Sequence, residues 1–65
     1  MTLRAARINQ SISRAEAAKL IGVSKDTIGN WERGENAPST KWIKKIAEVY
    51  KVDCNDIIFL PRNNT

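Results

Sequence analysis

Two glycines constrain this chain more than any other residues. Gly22 and Gly34 each follow a short stretch with helical spacing, at the position where a helix ends in the left-handed conformation that glycine adopts freely. Each stretch also opens on a serine, Ser13 and Ser24, a residue that caps helix N-termini. Ser13-Arg14-Ala15-Glu16 is a capping box, with serine at the cap and glutamate three positions on. The segment from Ser13 to Gly34 therefore reads as two short helices joined by a tight turn at Gly22 and Val23.

The flanks read as support for that pair. Thr2 caps a first helix from Leu3 to about Asn9, with Leu3 and Ala6 on one face and Ile12 pointing back to the same core. Glu35-Asn36-Ala37-Pro38 is a loop. Ser39 then caps a helix from about Thr40 to Tyr50, where Ile43, Ile46, Ala47 and Tyr50 form one apolar stripe. Asp53 is expected to cap a short last helix, about Cys54 to Phe59, with Ile57 turned inward and Pro61 ending it. No strand pattern, repeat or linker is evident, so the expected fold is all-α: five short helices in one compact domain over residues 1–60, with a polar tail at 61–65.

With 65 residues, folding buries only about 60% of the surface of the unfolded chain, enough for one small core and no deep cleft. Eleven basic residues against seven acidic ones give a net charge of +4, a balance that suits a polyanionic partner, nucleic acid before anionic membrane. One cysteine excludes an intramolecular disulfide, and the absence of histidine removes the common zinc ligand sets and the usual base. No apolar run approaches the length of a membrane span and no leader opens the chain, so a cytoplasmic protein is expected, with no metal, cofactor, membrane partner or small-molecule substrate. No nucleophile–base arrangement is present, and no catalysis is expected.

On a helical wheel of the third helix, about residues 25–33, Ile28, Trp31, Ser24 and Glu32 share one side. Asp26, Asn30, Arg33 and Gly29 share the other, with Lys25 and Thr27 on the flanks. An apolar anchor behind a face of short hydrogen-bonding groups is what a helix needs to enter the DNA major groove, about 12 Å wide. Close crossing by the preceding helix favours small residues, and Ala17 and Ala18 are small.

Arg14, Ala18, Gly22, Val23, Ile28 and Trp31, with the run Trp31-Glu32-Arg33-Gly34, resemble the helix-turn-helix of the phage repressor and Cro (XRE) family. Pro38-Ser39 and Ile46-Ala47 also sit where that family's fourth helix begins and packs, and the resemblance runs from Leu3 to Ile58. It implies a lambda-repressor-like domain that binds double-stranded DNA and regulates transcription, as a repressor of phage or bacterial type. A protein-interaction module, such as an antitoxin or phage accessory protein, is the alternative. Two positions depart from the family's pattern: Ala17 replaces its usual leucine, and Gly29 stands on the outward face where a polar side chain is usual. Gly29 reads either as close backbone approach to DNA or as a tolerated surface glycine.

The resemblance assigns base contacts to Lys25, Asp26, Thr27 and Asn30. Asn30 suits adenine, Lys25 suits guanine or a phosphate, and Asp26 suits cytosine N4 or simply the dipole of its own helix. Thr27 suits a thymine methyl or packs at the turn. Backbone contacts fall to Arg14, Ser24, Arg33, Asn36, Ser39, Thr40 and Lys41. Arg7 and Glu32 match a pair that braces the first and third helices in related domains, or else are two separate surface charges. Trp42, Val49, Ile58, Phe59 and Leu60 form either a homodimer patch or the last part of a small core. Cys54 is expected to be a small buried residue.

Overall fold

The computed structural model describes residues 1–59. Its helices are α1 (Leu3–Asn9), α2 (Arg14–Ile21), α3 (Lys25–Arg33) and α4 (Thr40–Tyr50). Leu60, assigned to the dimer patch, and the tail at 61–65 lie outside the described residues.

The turns are built by their caps. Ser13 Oγ accepts from Glu16 N at 3.1 Å, and Glu16 Oε1 accepts in return from Ser13 N at 3.5 Å. Gly22 ends α2 at φ +99°, and its N–H donates to Ala18 O at 2.7 Å. Gly34 ends α3 at φ +77°, and the following N–H of Glu35 reaches Asn30 O at 2.9 Å. Both glycines satisfy carbonyls that the helix end would otherwise leave bare.

Leu3, Ala6, Ala17, Ala18, Ile21, Ile28, Trp31, Ile46, Tyr50 and Ile57 form the core. Side chains from all four helices thus surround one small interior, with Tyr50, Ile28 and Ile46 fully enclosed. α2 and α3 are the most extensively packed pair. Ala17 and Ala18 of α2 are both buried, and their small side chains suit close packing of that helix on its neighbours.

Three expectations are corrected. The fifth helix is only a 3-10 turn, Cys54–Asp56. Asp53 Oδ1 accepts from Asn55 N at 2.9 Å, a local bond that closes a turn without propagating a helix. The β-branched pair Ile57-Ile58 then runs on extended, with a parallel bridge between Thr2 and Ile58 and a 2.6 Å bond from Ile58 N to Met1 O. Cys54 is exposed because that turn carries it outward. Gly29 is buried, although its helical face is polar, because two arginine side chains lie over it.

Candidate nucleic-acid interface

The interface is built on α3. Its inner side is held by Ile28, 1% exposed, and Trp31, 7% exposed. Trp31 stands against Trp42 of α4, with ring centroids 6.4 Å apart and planes tilted by 45°.

A second hold comes from charge. Arg7 of α1 donates from Nε to Glu32 Oε2 at 2.7 Å and from Nη2 to Oε1 at 3.2 Å. Its remaining Nη1 donates to Ile12 O at 2.9 Å. This two-pronged pair is nearly closed to solvent, the side chains being 11% and 7% exposed. Hydrogen bonding to Glu32 raises the Arg7 pKa above its ordinary value, against the opposing effect of burial. Tyr50 answers to the same neighbourhood: burial, with the Glu32 carboxylate adding to it, pushes its phenol up to about 12. Arg7 and Glu32 thus fix the rotation of α3 relative to α1.

The outward side is arranged differently. Lys25 and Asp26 are exposed in the first turn, and Thr27 is half-buried. Ser24 Oγ accepts from Thr27 N at 3.2 Å and lies 2.9 Å from Thr27 Oγ1, so these two hydroxyls are engaged with each other at the cap. One turn further along, Asn30 Oδ1 accepts from Arg33 Nη2 at 2.7 Å. The Arg33 guanidinium lies across Gly29, where an added Cβ would meet its Nη1 at 2.9 Å. Arg14 reaches the same spot from the start of α2, its Nη1 3.6 Å from that position.

Arg14 and Arg33, two of the expected backbone contacts, therefore meet over Gly29. Together with Arg4, Arg7 and Glu32 they line an open depression of about 330 Å³. Four guanidiniums face one carboxylate there, a strong local excess of positive charge. Arg4 joins this cluster from outside the helix-turn-helix motif. It lies three positions before Arg7 on α1, a spacing that puts both arginines on one face and signals a shared basic surface.

The other expected backbone contacts lie outside that depression. Asn36 is exposed in the loop, and Ser39, Thr40 and Lys41 are exposed at the start of α4. The three serine caps differ here: Ser13 and Ser24 spend their hydroxyls on their own helices, while Ser39 makes no side-chain cap bond. Lys41 Nζ rests 4.9 Å from the Trp42 ring centroid. Of the expected dimer patch, Trp42, Val49 and Phe59 are half-buried against the core, and Ile58 is 59% exposed.

Among the described residues no helix is long and apolar enough to cross a membrane, and no group of histidine, cysteine, aspartate or glutamate gathers as a metal site. Neither a curated protein nor a solved structure matches the chain. A family model described as Helix-turn-helix matches residues 3–57. That span takes in all four helices, the glycine turn and the arginine-lined face, and the chain belongs to the XRE-type helix-turn-helix family of DNA-binding regulators.

Proposed function

We propose that this protein is a sequence-specific regulator of transcription that acts on duplex DNA as a repressor. Lys25, Asp26, Thr27 and Asn30 of α3 face the base edges in the major groove. Arg14, Arg33 and Arg4 take phosphates on one flank, while Asn36, Ser39, Thr40 and Lys41 take phosphates on the other, with Ser24 at the cap between them. The observation that carries this reading is the arginine-lined depression beside a polar helix face anchored from behind by Trp31 and Ile28. The uncommitted hydroxyl of Ser39 supports the second phosphate grip. A cytoplasmic location and a regulatory rather than catalytic role are parts of the same reading.

Self-association as a two-fold dimer belongs to the proposal, with Ile58 as its exposed apolar element beside Val49 and Phe59. Ile58→Asp is the clean probe, since that side chain stands in solvent. Trp42 is a poor one because it packs on Trp31.

The deciding experiment is duplex binding as a function of salt. Phosphate neutralisation makes log affinity fall linearly with log salt, with slope near −0.9 per phosphate contacted. A steep slope supports the reading. Failure to bind any duplex at low salt overturns it and favours a protein-docking module, for which the basic face would be incidental.

A further inference from the structure

The amide of Asn30 has two faces, and this structure commits one of them. A guanidinium carries donors and no acceptor, so the atom it approaches at 2.7 Å must be the Asn30 carbonyl oxygen. The orientation of the amide is thereby fixed by chemistry, and its NH₂ group is turned away from Arg33 as a free double donor. A charge-assisted bond of this kind is stronger than one between neutral groups, so it biases which face is presented.

Gly29 makes the arrangement possible. Arg33 reaches Asn30 by lying back across α3, and its Nη1 rests 2.9 Å from where a Cβ at position 29 would stand, closer than such contacts tolerate. A larger residue there forces the guanidinium tip to shift, which disturbs the geometry of its Nη2 bond to Asn30. Gly29, Asn30 and Arg33 therefore act as one unit, with Arg14 closing the cluster from α2.

The major-groove edges distinguish what such a unit can read. Adenine offers an acceptor at N7 beside a donor at N6, and an asparagine matches it only by offering both oxygen and NH₂. Guanine offers two adjacent acceptors, N7 and O6, and a double donor matches it. We propose that Arg33 is a positioning residue that sets the base preference of Asn30, occupying its carbonyl so that the asparagine reads guanine in place of adenine. This rests on the DNA-binding reading above and deepens it.

The test is selection from a random duplex pool with the full chain and three variants: Asn30→Ala, Arg33→Met and Gly29→Ala. The column that loses its preference in Asn30→Ala is the one Asn30 reads. The expected result is guanine over adenine by at least about twofold at that column in the parent protein, with the preference erased or reversed in both Arg33→Met and Gly29→Ala. Gly29→Ala keeps the Arg33 charge, so it carries the test even where Arg33→Met loses too much affinity to select. Adenine at that column in the parent, guanine retained in Gly29→Ala, or no column dependent on Asn30 each overturns the proposal. Binding without sequence preference in the parent also overturns it while leaving DNA binding intact. Failure of the parent to bind any duplex at low salt sinks the DNA-binding reading itself.

Discussion

Two arginine side chains make bonds of the same length on opposite sides of α3, one from α1 and one from α3 itself. Arg7 meets Glu32 at 2.7 Å on the packed side, and Arg33 meets Asn30 at 2.7 Å on the outward side. Distance alone would rank them as equals, but Arg7 makes three bonds to Arg33's one, and their surroundings separate them further. The first pair is nearly excluded from water, and removing one partner would strand a charge in a poorly solvated place. The second lies in solvent, where water replaces either partner and the bond is worth about 0.5 kcal/mol. The packed side is thus built to be permanent and the outward side to be exchanged: a base edge can take what Arg33 and Asn30 leave free at little expense to the fold.

The largest expected effect tests the permanent side. Glu32→Gln leaves the Arg7 cation facing a neutral amide and should cost about 3 kcal/mol. A core of this size supplies roughly 3–5 kcal/mol in total, so urea unfolding should show a population near the edge of stability. The double replacement Arg7→Met with Glu32→Leu should recover most of the loss, since it removes both charges together. A cost below about 1 kcal/mol for Glu32→Gln would erase the contrast between the two sides.

Tyr50 gives the same side a pH signature. Its phenol titrates at about 12 in the folded chain, against an ordinary value near 10. Between those values the folded protein keeps the proton while the unfolded chain has lost it, so stability falls as pH rises. Stability should be insensitive to this group below pH 10 and drop by about 2 kcal/mol through pH 12. The lysines titrate in the same range, so the quantity to measure is the difference between the parent and Tyr50→Phe in denaturant midpoints. A difference that stays constant from pH 9 to pH 12 would contradict the shift.

Much of the permanent side was legible in the sequence. Serine caps and terminal glycines act through local bonds, so Ser13, Gly22, Ser24 and Gly34 announce themselves within a few residues of the helices they bound. The apolar stripe of α4 is local in the same sense. What escaped depends on long or flexible reach. The segment after Asp53 has a cap like the others, yet it closes a single turn before Ile58 pairs with Thr2 from the opposite end of the chain, and no local pattern encodes that partner. Gly29 sits on the exposed arc of the wheel by position and is buried in fact, because arginine side chains can fold back over a helix surface. Arg4 joined the basic depression unnoticed because its role arises where three helices converge. The wheel places Cβ atoms and says nothing about where the end of a long side chain comes to rest.

On the outward side the expected effects are on binding and leave the fold alone. Asn30→Ala should lose roughly 1–2 kcal/mol of discrimination at one base pair, with unfolding unchanged. Lys41→Ala should weaken every duplex alike and reduce the magnitude of the salt slope by about 1. Binding titrations on a selected site and its single-base variants, repeated at three salt concentrations, separate the two. A uniform loss for Asn30→Ala would reassign it to the phosphates.

The smallest effect is the sharpest test of the contrast. Adding one methyl group at Gly29 relieves a helix-interior glycine, worth about 1 kcal/mol. It also displaces the tip of Arg33, whose bond to Asn30 contributes about 0.5 kcal/mol in solvent. The balance predicts that Gly29→Ala is more stable than the parent by about 0.5 kcal/mol. On the packed side the sign reverses: Ala17→Val enlarges a side chain that is already fully enclosed in the core, and overpacking of that kind costs about 1–3 kcal/mol. Both are read from denaturant midpoints at constant slope. If Gly29→Ala is instead destabilised by more than about 1 kcal/mol, Arg33 is held as firmly as Arg7, and the outward face of α3 is a structural surface that DNA cannot readily rearrange.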